Sequence, residues 1–367
     1  MKITSIDVTP LVVPLARTFK GSKYSMDSRA TLIVRLYTDE GVIGETYNGD
    51  EADTQLEIAK IIETEIAPII IGRDPTAVES IWEAMLPLTF DILRNRRLPI
   101  LAMSLIDSAC WDTVGKAAGM PLYRVWGGYR DRLPVIAIGG YYEMSDADLT
   151  HEVESYLELG IGGCKMKVGG ASPAEDAKRF LTMRRAGGDD FVLMADANQG
   201  YTVEEAVEFC RLIQGGGLRW FEEPVRWYNA QLDLRDVRYK TGVPIAAGQS
   251  EVARADARNL MISGAIDVCN FDASWSGGPT EWRRVAGCAA AFGVQMAHHE
   301  EPQVSAHLLA SISHGTYLEC FHPERDPLFW NLIANRTPFE DGWYKVPTGP
   351  GLGLVLDTDY IAKYRVD

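Results

Sequence analysis

The sequence predicts an α/β protein in which a parallel strand–helix barrel follows a smaller α+β layer. Length is the first reason: 367 residues exceed one ordinary core, and a barrel of about 200–250 residues plus a smaller domain is the natural division. The second is a series of short apolar runs, each closed by a charged or polar residue. Lys165-Met166-Lys167 close the run 161–167, Asp196 closes 191–195 and Glu222 closes 218–221. Asp272, His299 and Glu319 close 268–271, 294–298 and 317–318. The third is their recurrence at roughly the spacing of one strand plus one helix, with a further apolar run, 243–247, in the one wide gap. Repeated strand and helix close into a parallel barrel, whose active site is built at the C-terminal strand ends. One charge at a strand end can be structural; charge at six of them reads as an active site.

Element by element, residues 2–8 and 31–37 alternate as strands, and Asp39-Glu40-Gly41 turns the chain into 42–45 as a meander. Helical patterns follow over 53–70, 75–90 and 97–118. Residues 1–130 thus form the α+β layer. The barrel, 131–325, opens at 133–138 after the Gly127-Gly128 turn. The tail, 326–367, carries the turn-rich stretch 347–353 and is expected to return to the first layer.

Composition removes several classes of function. Thirty-six basic against 51 acidic residues give a net charge of −15, which argues against nucleic acid, since phosphate attraction needs a basic surface. No apolar run approaches the ~20 residues of a membrane span, and the start alternates like a strand rather than a signal peptide. The six cysteines are scattered without C-x-x-C spacing and read as reduced packing residues of a cytoplasmic protein.

Residues two apart on a strand point the same way, so Lys165 and Lys167 both face the barrel interior. Two neighbouring ammonium groups near a metal depress each other's pKa, which can make one a usable base near neutral pH. Asp196 and Glu222, on adjacent strands with no cysteine or histidine cluster nearby, suit a hard cation such as Mg²⁺. The bland alternative is that these acids merely bridge to the lysines. Asp272 and His299 suit an Asp–His pair in which the carboxylate orients the imidazole.

These residues, in this order, resemble the enolase superfamily, specifically its mandelate racemase subgroup. The resemblance also rests on Ala197-Asn198, Glu223-Pro224, Gly277-Gly278-Pro279-Thr280-Glu281-Trp282 and Ser305-Ala306-His307-Leu308-Leu309. It implies a modified TIM barrel, (β/α)7β, with an α+β capping domain, one Mg²⁺ per subunit, a homo-oligomer, and abstraction of the proton α to a carboxylate. It further implies Lys167 as base, Lys165 as partner of the substrate carboxylate, and His299 with Asp272 acting from the opposite face. Glu319 would hydrogen-bond a substrate carboxylate oxygen. The family's third metal ligand is a glutamate just after the glycine ending strand five. Here that position is Gln249, with Glu251 two residues on, and an extended strand would favour Glu251. Trp275 stands where mandelate racemase has a lysine.

The resemblance implies dehydration of an acid sugar, an aldonate or aldarate, to a 2-keto-3-deoxy acid. Racemisation or epimerisation of a 2-hydroxy acid and lactone cycloisomerisation use the same residues, and Gln249 keeps open a family member that binds without turnover. Specificity is expected from two loops, 15–24 and 47–51. Arg17, Lys20, Lys23 and Tyr24 of the first are expected, with Asn198, to bind the substrate.

Overall fold

A computed structural model describes residues 1–49 and 54–366. The chain opens with an antiparallel sheet of β1 (Ile3–Lys20), β2 (Ser25–Thr38) and β3 (Ile43–Tyr47), in that order. β1 is an edge strand, which is where Pro10 and Pro14 can forgo ladder hydrogen bonds. β1 and β2 run far beyond the expected 2–8 and 31–37. Residues 15–20, read from their polarity as loop, belong to the strand, and only the turn 21–24 remains.

Alternation along β2 gives its two faces different partners. Leu32, Val34 and Leu36 pack into a core shared with the helices, whereas Ile33 packs toward the barrel. The helices are α1 (Gln55–Ile61), α2 (Ala67–Ile70), α3 (Val78–Met85) and α4 (Arg97–Ala117), followed by short α5 (Leu122–Val125). A π-helical turn joins α1 to α2. α4 is buried on nearly every side, as its apolar circumference demands.

Eight parallel strands then form the barrel: β4 (Arg132–Gly139), β5 (Gly163–Lys167), β6 (Val192–Asp196), β7 (Leu218–Glu222), β8 (Ile245–Ala247), β9 (Val268–Cys269), β10 (Gln295–Met296) and β11 (Leu318–Phe321). β11 pairs with β4, and β10 meets the approach to β11 through the bridge Met296–Gly315. The seven intervening helices are α6 (Asp146–Glu158), α7 (Pro173–Gly187), α8 (Val203–Leu212), α9 (Ala230–Thr241), α10 (Arg254–Ile262), α11 (Gly278–Phe292) and α12 (Pro302–Ser311). The fold is therefore a (β/α)7β barrel with an α+β cap. Reciprocal capping boxes start α6, α7 and α8 at Ser145, Ser172 and Thr202, each satisfying otherwise orphaned amides.

Inside the barrel, Ile136, Met194, Trp220, Ala246, Val268 and Ala297 form one apolar layer. Two residues further along the same strands stand Asp196, Glu222, Asn270 and His299, so the period of two lifts the polar side chains to the C-terminal mouth. The tail adds a hairpin of β12 (Phe339–Glu340) and β13 (Trp343–Lys345) at the start of β4. Its last helix, α13 (Thr358–Tyr364), leads to Arg365 and Val366, which bond to β1 at Leu11 and Pro10.

Cap and barrel are joined by buried hydrogen bonds. Asp107 on α4 accepts from the backbone N–H and hydroxyl of Thr280 on α11, and Ser104 accepts from Gly277 N–H. Gly278 has φ +86°, and a Cβ there would collide with the Asp107 carboxylate. Gly287, within α11, has open space around it. Gly278→Ala should lower stability by about 1–3 kcal/mol, whereas Gly287→Ala should raise it by about 0.5–1 kcal/mol. Urea denaturation measures both, and equal effects would contradict this account of the joint.

Candidate active site

The aligned strand ends bring the lysines and acids into one buried lattice. In register, Lys167 pairs with Asp196 and Asp196 with Glu222. Lys165 Nζ donates to Glu222 Oε1 at 2.5 Å and Glu319 Oε1 at 2.6 Å. Lys167 Nζ donates to Asp196 Oδ2 at 2.7 Å and Asn198 Oδ1 at 3.0 Å. The salt bridges weighed as the bland alternative thus exist, among the same groups that compose the site.

Burial first, and Lys167 after it, press the Lys165 pKa down, the second as expected of neighbouring ammonium groups, yet the lattice as a whole acts the other way. Burial does disfavour their charge, but Glu222 and Glu319 around Lys165, and Asp196 beside Lys167, outweigh it. Both ammonium groups are held above the ordinary lysine range. Burial also lifts Glu222, to about 8, against the pull of Lys165, with Asp196 and Glu319 adding to the rise.

One polar atom in the lattice is left over: Glu222 Oε2 is buried without a hydrogen-bond partner. Beside it, Asp196 is fully buried, and the two carboxylates form an oxygen-only donor pair that fits a hard divalent cation. Among the described residues, no three acidic, histidine or cysteine side chains converge as a metal site. The third strand end carries an amide instead. Gln249 lines the cavity above the lattice, with its Oε1 accepting from Asn270 Nδ2 at 3.2 Å. Glu251, the favoured third ligand, is not in that lining. The premise of an extended strand fails, because the chain turns at Gly248 and Glu251 N–H donates back to Gly248 O.

His299 and Asp272 meet as expected, Nδ1 to Oδ2 at 2.9 Å, and Ser274 fixes the other aspartate oxygen through its N–H and hydroxyl. The remaining imidazole nitrogen, Nε2, lies 3.1 Å from Glu300 Oε1. Burial works against a charge on His299, but Glu300 and Asp272 together raise its pKa well above the ordinary histidine value. Trp275 lies against the ring, centroids 4.7 Å apart, with Arg97 over the indole. His298 points away, as strand alternation requires. Its Nδ1 donates to His299 O and its Nε2 accepts from Ala273 N–H, which fixes a neutral tautomer.

The cavity of about 370 Å³ is bounded by Lys167, Asn198, Gln249, His299, Glu300 and Tyr24, among others. Of the loop residues expected to bind substrate, Tyr24 alone reaches it, with Lys167 Nζ 5.7 Å from its ring centroid. Lys20 pairs with Glu143, and Arg17 lines a separate cavity, 3.8 Å from Glu324. Lys23 is exposed and outside the lining. These cations belong to a hairpin whose extended strands carry them past the mouth. Of the second expected loop, Asp50 and Glu51 lie outside the described residues.

Two further residues, one in the lining and one behind it, escaped the sequence reading. Glu223, with φ +36°, accepts from Ser250 at 2.7 Å and Gln199 at 3.4 Å on one wall. Arg29 of β2 reaches Glu300, Glu301 and Asp326 from the cap. Its signal was present, since Arg29, Thr31 and Ile33 share the barrel-facing parity of the strand.

Comparison with known proteins gives this geometry a lineage. Residues 148–360 match the model described as "Enolase C-terminal domain-like", and residues 3–127 match that of the "Mandelate racemase / muconate lactonizing enzyme, N-terminal domain". The chain is 30% identical over 339 residues to a 3,6-anhydro-alpha-L-galactonate cycloisomerase of Streptomyces coelicolor, covering 91% of each. It is 29% identical over 339 residues to the arabinonate dehydratase of Saccharolobus solfataricus, covering 89% of this chain and 88% of that one. A mandelate racemase/muconate lactonizing enzyme from a marine actinobacterium, solved in complex with magnesium, superposes with a TM-score of 0.94 at 51% identity, over 100% of this chain and 99% of that one. The chain belongs to the mandelate racemase/muconate lactonizing enzyme family of the enolase superfamily.

Proposed function

We propose that the chain is a Mg²⁺-dependent acid-sugar dehydratase, which removes the proton α to a carboxylate and expels the neighbouring hydroxyl. The observation that carries this reading is the pairing of Lys167 and a doubly carboxylate-bound His299 in the lining of one cavity. They rise from β5 and β10, on different sides of the barrel ring. Lys167 would take the C2 proton, the C3–O bond would break, and His299 Nε2–H would hand its proton to the leaving oxygen as water forms. The resulting enol becomes a 2-keto-3-deoxy acid. A histidine held between Asp272 and Glu300 arrives protonated, which suits an acid better than a base. A substrate carboxylate oxygen would replace part of the pairing between Lys165 and Glu319.

Asp196 and Glu222 would hold the metal, with Gln249 Oε1 as the third donor. Bound Mg²⁺ would supply positive charge that stabilises the enediolate, as electrophilic metal ions do. Asp196 and Glu222, once turned to that cation, would relax their grip on the lysines and let Lys167 act as a base. The cycloisomerase relative supports a second reading, in which the leaving oxygen stays tethered as part of a ring. The same two residues would act in it.

Three outcomes follow. Proton NMR in D₂O with Mg²⁺ and pooled aldonic and aldaric acids should reveal a new 2-keto-3-deoxy product. Neither product nor deuterium at C2, with metal bound, would overturn the reading. Lys167→Ala should abolish that chemistry while thermal denaturation shows a folded chain; full activity in the variant would remove the lysine as base. Gln249→Glu should tighten Mg²⁺ binding at least tenfold by calorimetry, because an anion replaces an amide, whereas Glu251→Gln should leave it unchanged. The reverse pattern would assign the third donor to Glu251.

A further inference from the structure

His299 is gripped at both nitrogens, and only the grip by Asp272 belongs to the expected pair. The second comes from Glu300, whose Oε1 lies 3.1 Å from Nε2, the nitrogen that faces the cavity. Glu300 is itself held at two further points. Its Oε2 accepts from Arg29 Nη1 at 3.2 Å and its backbone N–H donates to Glu319 Oε2 at 3.0 Å, and the residue as a whole is 7% exposed. Its backbone has φ 54° and that of Glu301 has φ 49°, a conformation L-residues adopt at a cost and keep only when their surroundings enforce it.

Those surroundings come from two layers. α12 begins immediately after the pair, at Pro302. From the cap, Arg29 on β2 binds Glu300, Glu301 and Asp326 with separate guanidinium nitrogens. Arg29 is buried, so its fork cannot swing to solvent. A line of contacts therefore runs from the cap sheet through Arg29 and Glu300 to the imidazole, and ends at Asp272.

We propose that Glu300 is a positioning residue for the His299 proton donor, and that Arg29 of the cap sheet sets its place. This rests on the reading of His299 as an acid. Asp272 alone would fix the tautomer but leave the ring free to tilt about that bond. Glu300 fixes the direction of Nε2–H, and Trp275 limits rotation from the ring face. The leaving hydroxyl of a substrate would enter beside the Nε2–Oε1 contact, with an acceptor ready for its hydrogen and a donor aimed at its oxygen. The other charged or titratable groups around the imidazole are Glu223 beyond β7, His298 beside it, and Arg29 and Arg325 behind Glu300. None of them bonds to Nε2.

The test is imidazole NMR on ¹⁵N-histidine-labelled full-length protein, titrated with pH in the wild type, Glu300→Gln and Glu300→Asp. Thermal denaturation checks that each variant is folded. Glu300→Gln should lower the His299 titration midpoint by at least one pH unit, a tenfold loss of proton affinity. Glu300→Asp keeps the charge with a shorter reach, and should fall between the two. With an acid sugar that turns over, the alkaline limb of kcat should move down by the same amount while KM changes less than threefold. An unshifted midpoint in folded Glu300→Gln overturns the proposal whatever the activity. A shifted midpoint in a chain that dehydrates no acid sugar supports the Glu300–His299 contact and instead overturns the dehydratase reading.

Discussion

The structure depends on one electrostatic constraint: carboxylates buried at the barrel mouth must find positive charge. Around Lys165 and Lys167 stand Asp196, Glu222 and Glu319, all nearly inaccessible to water. Three acids sharing two lysines leave a deficit, visible in the partnerless Glu222 Oε2 and in the raised affinity of Glu222 for a proton. Desolvated charge of one sign is costly unless paired. The deficit can be met by protons, by a divalent cation, or by both. A site of this kind favours the binding of a divalent cation, so one arrangement answers both to the stability of the mouth and to metal binding.

The cap is tied to that mouth by polar groups rather than by apolar packing alone. Asp107 and Ser104 hold the loop that leads into α11, and the same loop carries Trp275 against His299. Arg29 grips the turn that carries Glu300. Both routes end at one imidazole. A change in cap sequence can therefore reach this imidazole without touching the barrel strands.

The barrel and its polar mouth were legible because the period of two is strict there. Lys165, Lys167, Asp196, Glu222, Asp272, His299 and Glu319 all close apolar runs, and the structure gathers them at one end. What failed was local geometry that composition does not encode. The turn at Gly248 takes Glu251 away from the mouth, and the long pairing of β1 with β2 turns a polar stretch into strand, carrying Arg17, Lys20 and Lys23 elsewhere. The net direction of the lysine pKa values was not read from the sequence, because the carboxylates that other strands bring to each ammonium decide it. Arg29 was missed for another reason: its partner Glu300 lies 271 residues away in the chain, and no short motif spans that separation.

The account turns on a division of labour between Lys167 and His299, and one variant separates them. His299→Asn should be incubated with Mg²⁺ and the acid-sugar pool in D₂O and followed by proton NMR. If Lys167 takes the C2 proton and His299 serves the leaving group, deuterium should enter C2 while no 2-keto-3-deoxy acid forms. Dehydration at the wild-type rate, or a C2 proton that never exchanges although metal is bound, would contradict that division.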